Sequence, residues 1–296
     1  MNRPSSSVGP TRRHALAAVA APLLGPGCAS WNPPPDRIVE VASGRELTRS
    51  EMVTRLRSAD HVLLGELHDN PHHHRRRGLL IVDLGPGTVV VAEQLPRGAR
   101  VQAGDDLRLR LEAAGFDAAA WGWPLYQPLF GPLLAAGVPL LGGNATRALA
   151  RQIAREGPAA WPAELRERLE AVPLTADAQA ALDRDLLGGH CGHLSAARLP
   201  AMRAAQRARD ASMALAMQAC NGRPAVLVAG NGHVRSDQGV ASLLRALPGK
   251  PQVVCVGFGE TGWAEAGAPY THVWVTPAVE RADPCAGFRM PPPRGA

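Results

Sequence analysis

The chain has 296 residues, of which 46% are hydrophobic and 4% aromatic, and its formal net charge is +6 at pH 7. This length suits one large domain or two small ones. Residues 1–27 hold three arginines and no acidic residue, so the net charge without them is +3. So small a charge with so few aromatic residues is not typical of a nucleic-acid-binding protein, and we expect no nucleic-acid partner.

The N-terminal segment has the pattern of an export signal. Arg12 and Arg13 resemble a twin-arginine signal, and the apolar stretch at 15–24 is too short to remain as a membrane-spanning helix. Small residues then lead to Cys28, as they do at the cleavage site of bacterial lipoproteins. We therefore expect a signal peptide over 1–27, a lipid anchor on Cys28 and a Pro-rich tether over 28–36. An ordinary secretory peptide with a chance cysteine is the alternative.

Alternating apolar runs and helical patterns predict an α/β fold. A capping-box pattern at Thr48 and Glu51 predicts the start of a helix. We expect a mostly parallel or mixed central sheet flanked by helices, with a helical insertion between about 145 and 221, in a domain over 37–280 that a mobile tail over 281–296 follows. The predicted strands are 37–41, 61–66, 88–93, 138–141, 225–229, 252–258 and 270–275, and the main helices are 71–84, 145–156, 163–187 with a break at Pro173, and 199–220.

Polar side chains follow four of the predicted strands. Glu66 and His68 follow the strand at 61–66, Glu93 ends the next strand, and Asn144 and His233 follow the strands after it. Because the carboxyl ends of parallel strands meet at one crevice, we expect these side chains to lie close together. Loops are commonly polar for reasons of solvation alone, which is the alternative for each segment taken singly.

Two further patterns bear on this crevice. A Gly-x-x-His motif occurs twice, at 65–68 and 230–233, and glycine at such a turn allows a ligand to approach closely. The long helix at 199–220 carries Gln206 and Arg209 in the middle of an otherwise apolar face, so we expect Glu93 or a bound anion as their partner.

The histidine run and the aromatic segment leave alternatives open. Successive helical side chains point about 100° apart, so of the histidines at 72–74 we expect one to face the crevice and the others to be solvated. The segment 121–130 holds two tryptophans, a phenylalanine and Tyr126. It can pack in the core or form the wall of a pocket for a flat apolar ligand.

Four cysteines remain if Cys28 is lipidated. Cys191, Cys220, Cys255 and Cys285 allow three pairings, between which the sequence does not choose. Cys255 lies within an apolar strand pattern, so we expect it to be a small buried hydrophobic residue.

Taken together, these motifs resemble the ChaN family. They are residues 65–71 with His74, Glu93 with Gln94, the helix around 202–214, and residues 230–240. ChaN proteins are iron-regulated, haem-binding lipoproteins of a superfamily that includes Tiki metalloproteases, TraB and the erythromycin esterases. The resemblance implies a dimer that sandwiches two haems, with a tyrosine oxygen as iron ligand. Only Tyr126 and Tyr270 are available, and we expect Tyr126 to hold the iron because it lies among tryptophans.

The resemblance supports a haem-binding lipoprotein for haem or iron uptake. We expect it at the cell envelope, in the outer membrane of a Gram-negative bacterium, facing the periplasm or the surface, and as a homodimer when haem is bound. Arg209 or the arginines at 75–77 are candidates for the haem propionates. The expected cofactor-binding residues are Tyr126, His68, His233, Glu66, Glu93, Asn144, Gln206 and Arg209.

A metal-dependent hydrolase, either an esterase or a peptidase, is the second hypothesis. Two carboxylates and two imidazoles in one crevice are what general-base or metal-assisted hydrolysis requires. In that case Glu66, His68, Glu93 and His233 are catalytic, and Glu66, His68 and His233 hold a divalent metal ion. A non-catalytic scaffold whose polar cluster only fixes the fold is the third.

Overall fold

The computed structural model describes residues 36–220, 224–283, 285 and 286, all within one unit that spans Pro34–Ala296. The predicted signal peptide, Cys28 and almost all of the tether lie outside the described residues. Within the described ranges, no helix combines the length and the apolar character that a bilayer crossing requires.

Eight strands form one mixed sheet in the described chain. They are β1 (Arg37–Glu40), β2 (Glu46–Leu47), β3 (His61–Leu64), β4 (Val89–Pro96), β5 (Leu140–Asn144), β6 (Ala225–Val228), β7 (Val253–Glu260) and β8 (His272–Thr276). Their spatial order is β2-β1-β8-β7-β3-β6-β4-β5. The six strands from β8 to β5 are parallel, and β1 and β2 pair antiparallel at one edge. The predicted α/β class with a mixed sheet is confirmed.

Helices cover both faces of this sheet. They are α1 (Arg49–Arg57), α2 (Pro71–Leu84), α3 (Leu107–Ala113), α4 (Gln127–Ala135), α5 (Arg147–Glu156), α6 (Ala163–Ala171), α7 (Ala176–Gly189), α8 (Leu199–Gln218) and α9 (Gly239–Arg245). Short 3₁₀ turns occur at Gly157–Ala160 and Asn231–Val234. Helices α5 to α8 form the predicted helical insertion, which is therefore confirmed.

The central strand β3 shows why the sheet is covered on both sides. Its residues Val62, Leu63 and Leu64 are all fully buried. Val62 and Leu64 belong to the core beneath α1, α2 and α4, whereas Leu63 belongs to the core beneath α8 and α9. Because side chains alternate along a strand, a continuous apolar run fits only a sheet that is buried on both faces.

The largest differences from the predicted strand boundaries are in β5 and β4. β5 begins at Leu140 rather than at 138, and Pro139 has no N–H to donate to a sheet. It continues through Gly142, where an added Cβ would lie 2.0 Å from the carbonyl oxygen of Pro96. β4 extends to Pro96, so Glu93 lies within the strand, next to an irregularity in its pairing with β5.

The cysteines and the C-terminal segment are arranged in a way that the sequence did not specify. Cys191 and Cys285 form a disulfide, Cys220 is free, and Cys255 is buried in β7 as predicted. Arg281 forms ion pairs with Asp69 and Glu260. Contacts with the rest of the domain thus extend beyond the predicted boundary at 280. Residues 287–296 lie outside the described ranges.

Candidate functional site

The structure brings the polar residues at the strand ends together. The Asn144 side chain donates to the Glu93 carbonyl at 2.9 Å, and Arg209 on α8 reaches both Asn144 and the Glu93 carboxylate at 3.1 and 2.7 Å. The Asn231 N–H donates to the Glu66 carbonyl at 3.0 Å and so joins the loops that follow β6 and β3. The carboxyl ends of four parallel strands therefore form one crevice.

Glu66 is the centre of the first cluster, and its carboxylate is buried. One oxygen accepts from the Tyr126 hydroxyl at 2.7 Å, from the Gln94 amide at 3.2 Å and from His68 Nδ1 at 2.6 Å. The other oxygen contacts the guanidinium of Arg77, which is itself fully buried. Burial lowers the pKa of Arg77 to about 10, so it is still a cation at neutral pH and compensates the carboxylate charge.

Arg77 therefore does not fit the predicted role for the arginines at 75–77. A fully buried guanidinium paired with Glu66 cannot bind a propionate from solution. Arg76 also has a carboxylate partner, because it pairs with Asp36.

Two histidines of the run at 72–74 hold the loop after β3 in place. Leu67 N–H donates to His73 Nδ1 at 3.0 Å, and His74 Nε2 lies 2.9 Å from the carbonyl oxygen of His68. Both rings are fully buried, and burial lowers the pKa of each to about 4, so both are neutral. The prediction that only one histidine of the run turns inward is wrong, because the neighbouring backbone groups provide partners for two.

His68 is the exposed member of this cluster. Its side chain is 51% exposed, and its Nδ1 faces Glu66. Desolvation by the surrounding protein lowers the pKa of His68, so the ring is neutral at pH 7. A neutral ring that donates Nδ1–H to a carboxylate has its lone pair on Nε2. Nε2 lies over the second glycine motif, where a Cβ on Gly230 would come within 3.1 Å of it.

Tyr126 and Tyr270 both lie in the core, which disagrees with the prediction that Tyr126 binds iron. The Tyr126 side chain is 0% exposed, stacks on Phe130, and donates its hydroxyl proton to Glu66. Burial raises the pKa of that hydroxyl above its usual value, which disfavours the phenolate form. Tyr270 is 8% exposed and faces the backbone oxygen of Asn231. Sequence proximity to tryptophans did not reveal the direction of the Tyr126 ring.

His233 is the centre of the second cluster. Its Nδ1 lies 2.6 Å from Asp210 and its Nε2 lies 3.4 Å from Glu93, with the Gln206 amide against the ring at 3.2 Å. Burial alone would lower the pKa of His233, but the two carboxylates outweigh it and raise the pKa to about 9. His233 is therefore an imidazolium at neutral pH, held between two carboxylates.

Glu93 balances that cation. Burial would raise the pKa of Glu93, but His233 and Arg209 hold it well below its usual range. Its second oxygen accepts the Gly230 N–H at 2.7 Å. The expectation that Glu93 is the partner of Arg209 is confirmed by the 2.7 Å ion pair between them.

The alternative metal set of Glu66, His68 and His233 is not assembled. In the part of the chain that the structure describes, no three His, Cys, Asp or Glu side chains are positioned to share a metal ion. The geometric reason is that His68 Nδ1 and His233 Nδ1 each face a different carboxylate, Glu66 and Asp210.

A cleft of about 770 Å³ opens beside the two clusters. Trp121, Leu95 and Pro96 are among its apolar lining residues, and Glu93 and Asn144 are among its polar ones. His68 adjoins this cleft, because its ring packs edge-on against Trp121 with centroids 5.2 Å apart. Three arginines also line it, namely Arg147, Arg151 and Arg209.

A family model described as haem-binding uptake, Tiki superfamily, ChaN matches residues 52–244, which is more than half of the chain. The chain belongs to the ChaN family. The resemblance in the sequence motifs is thereby confirmed. No curated protein is similar to this ChaN-family chain in sequence at a significant level.

The comparison with solved structures found three matches, of which the first shows the same fold. The structure of cofacial heme binding to ChaN of Campylobacter jejuni has a TM-score of 0.66 and 17% identity, and the match covers 81% of this chain and 96% of that one. A mutant of the erythromycin esterase EreC in its open conformation has a TM-score of 0.39 and 17% identity, covering 78% and 80%. The type III effector HopBA1 has a TM-score of 0.42 and 14% identity, covering 77% and 93%.

Sequence reasoning did not assign a role to several residues of the site. Asp210 directly follows Arg209 in the α8 motif and orients His233, and Gln94 directly follows Glu93 and binds Glu66. The signal in the sequence was that both residues lie within the motifs that resemble the ChaN family. Arg147 and Arg151 begin a helix with no such motif, so only the structure relates them to the cleft.

Proposed function

We propose that this ChaN-family chain binds haem in the cleft beside His68, as part of haem or iron uptake. The observation that carries the proposal is a neutral, half-exposed imidazole, fixed by a buried carboxylate, next to an apolar cleft of about 770 Å³. Membership of a family described as haem-binding uptake supports it independently.

The residues around the cleft fit the chemistry of haem. Pockets of about 300–1,000 Å³ with mostly apolar walls and a few polar groups are typical of small-molecule and cofactor sites. Trp121, Leu95 and Pro96 supply such a wall. Haem iron accepts an imidazole nitrogen as an axial ligand. Of the described imidazoles in the two clusters, His68 is the half-exposed one, with Nδ1 bonded to Glu66 and the lone pair on Nε2.

The buried network prepares His68 for this role. Glu66 accepts a hydrogen bond from the Nδ1–H of His68. This bond fixes the tautomer and the orientation of the ring, as carboxylates behind histidine ligands do. Arg77 compensates the charge of Glu66, and His74 holds the backbone carbonyl of His68. The protein therefore fixes Nε2 before any ligand arrives, which reduces the ordering cost of binding.

The second cluster has a supporting role in this proposal. His233 is a cation held between Glu93 and Asp210, so it contributes charge and hydrogen bonds rather than a lone pair. Gln206, Asn144 and Arg209 connect it to the cleft.

The proposal includes a location and an assembly. The N-terminal pattern around Arg12, Arg13 and Cys28 supports export and a lipid anchor, which would place the domain at the cell envelope, most simply on the outer membrane of a Gram-negative bacterium. The solved ChaN structure is described as showing cofacial heme binding. Two copies of this chain, each with one haem, would supply such a face-to-face pair, so we propose a homodimer in the haem-bound state.

A haem titration tests the proposal. Purified protein should shift the Soret band at micromolar haem, and His68→Ala should weaken binding and change the spectrum. His72→Ala is the matched control, because His72 lies at the same loop–helix junction and binds Asn70 through its backbone N–H, which the variant keeps. Tyr126→Phe should retain the His68 spectrum. No Soret shift in the wild type contradicts haem binding. Loss of binding in Tyr126→Phe but not in His68→Ala would identify Tyr126 as the iron ligand.

Hydrolysis is a second candidate, which the Glu66–His68 pair specifically favours. A neutral imidazole backed by a carboxylate at 2.6 Å is suited to act as a general base toward water. Arg209 is placed beside it at the cleft, where it can stabilise a developing negative charge. The test is hydrolysis of nitrophenyl esters and peptides by the wild type and by His68→Ala. Equal rates in both proteins remove this candidate.

A further inference from the structure

The three arginines of the cleft form a basic wall, defined here as Arg147, Arg151 and Arg209. We propose that this basic wall binds the carboxylates of the ligand, while the apolar lining residues Leu95, Pro96 and Trp121 take its apolar body. The inference rests on the proposed function and deepens it. It states that the cleft binds flat apolar molecules that have an acidic edge. The arginines on α5 and α8 bind that edge.

The geometry of α5 places two of these side chains on one face. Arg147 and Arg151 are four residues apart in the first turns of the helix, and residues at this spacing lie side by side. Arg151 Nε donates to the Arg147 carbonyl oxygen at 3.2 Å, which orients its guanidinium along the helix. The neighbouring Ala150 also lines the cleft, so this helix face belongs to its wall.

The charges of the wall are only partly compensated. Arg147 pairs with Asp117, and Arg209 pairs with Glu93, both of which line the cleft as well. Arg151 forms no ion pair with any residue in the described ranges, where its side chain bonds the Arg147 carbonyl through Nε. The cleft therefore carries one unbalanced positive charge, to which the N-terminal end of the α5 dipole adds.

Arginine is the side chain best matched to a carboxylate. Its planar guanidinium forms two parallel hydrogen bonds to the two oxygens, and such charge-assisted bonds are about twice as strong as neutral ones. The apolar lining residues Leu95, Pro96 and Trp121 carry no charge. A ligand is thus oriented by its own asymmetry, with the acidic edge at Arg151 and the apolar rings at Trp121.

The experiment compares haem with haem dimethyl ester, in which both carboxylates are capped. The proteins are the full chain, Arg151→Gln, and Arg155→Gln as a matched control. Arg155 is an exposed arginine one turn further along α5, in the last turn of the helix. Affinity is measured by Soret titration at low and at high salt. Circular dichroism of each variant verifies that α5 is folded.

We expect the wild type and Arg155→Gln to bind haem about tenfold more tightly than the ester, which is the effect of one hydrogen bond to a charged group. Arg151→Gln should bind haem about tenfold more weakly than the wild type and bind the ester unchanged. Salt should weaken haem binding in the wild type more than in Arg151→Gln. A double Arg147→Gln, Arg151→Gln variant should likewise bind haem and the ester equally.

Equal affinity for haem and its ester in the wild type overturns the inference and leaves the proposed function intact. The same conclusion follows if Arg151→Gln and Arg155→Gln are indistinguishable. Failure of the wild type to bind either molecule overturns the proposed function, and the inference with it. The two failures are therefore distinguishable in one set of titrations.

Discussion

His233 should make the stability of this protein depend on pH above neutrality. The ring lies between Asp210 and Glu93, and its pKa in the folded state is about 9. In the unfolded chain a histidine has a pKa of about 6.5. Below about 6.5 both states hold the proton and the stabilisation is fully present. Above about 6.5 the unfolded state releases its proton while the folded state keeps it, so the stabilisation falls as the pH rises. It is lost once the pH passes the folded-state pKa.

The size of the effect follows from the pKa difference. One pKa unit corresponds to about 1.4 kcal/mol, so a rise from about 6.5 to about 9 corresponds to about 3 kcal/mol of unfolding free energy. The perturbation is Asp210→Asn, which keeps the shape of the side chain and removes one of the two charges. The folded-state pKa of His233 should fall, and the loss of stability between neutral and alkaline pH should shrink.

Urea unfolding followed by circular dichroism, repeated between about pH 6 and about pH 10, measures this effect. Burial raises the pKa of Cys220 and of Cys255, so ionisation of these thiols in the unfolded state also lowers stability at alkaline pH. Both cysteines are present in the variant, and the difference between the two proteins isolates His233. A wild-type stability that is constant across this range, or an equal slope in Asp210→Asn, refutes the reasoning.

Three other perturbations have definite expected outcomes. Arg77→Gln should lower the unfolding free energy by about 3–5 kcal/mol, because it leaves the buried Glu66 carboxylate without its cation. Cys285→Ser, or reduction, should cost about 2–4 kcal/mol, because the disulfide closes a loop between residues 94 positions apart. Gly230→Ala should weaken haem binding with little loss of stability, because its Cβ would lie 3.1 Å from the half-exposed His68 ring and turn it from the position that Glu66 fixes.

Each of these outcomes has a control. Arg75→Gln, on the exposed side of the same helix, should change stability by less than about 0.5 kcal/mol, and an equal loss in both variants would contradict a specific role for Arg77. A urea midpoint that does not respond to reductant would contradict the second prediction. Gly188→Ala has no atom within 4 Å of the new Cβ, so a haem affinity lowered equally there would show that the Gly230 effect is unspecific.

Local signals in the sequence predicted much of the fold. Helix α2 begins at Pro71, where the Asn70 side chain caps the His72 N–H at 2.8 Å, and it ends before Gly85, as its turn residues indicate. The predicted capping box at Thr48 is present at the start of α1. These features depend on neighbours within four residues, so the sequence contains all that is needed to recognise them.

The orientation of side chains between elements could not be predicted in the same way. The ion pair of Glu66 and Arg77 joins a strand end to the middle of a helix, and the pairing of Cys191 with Cys285 depends on the path of the last segment. Tyr126 turns into the core because Phe116 and Phe130 surround it there. Such contacts follow from packing between elements, and the residue types alone permit several arrangements.

The central claim is that His68 presents the donor atom to haem iron. The most direct measurement is the optical and paramagnetic-resonance spectrum of the ferric haem complex of the wild type, His68→Ala, and His68→Ala with added imidazole. We predict an imidazole-ligand signature in the wild type, its loss in the variant and its return on addition of imidazole. A phenolate-to-iron band that is unaffected by His68→Ala and disappears in Tyr126→Phe or Tyr270→Phe would contradict the account.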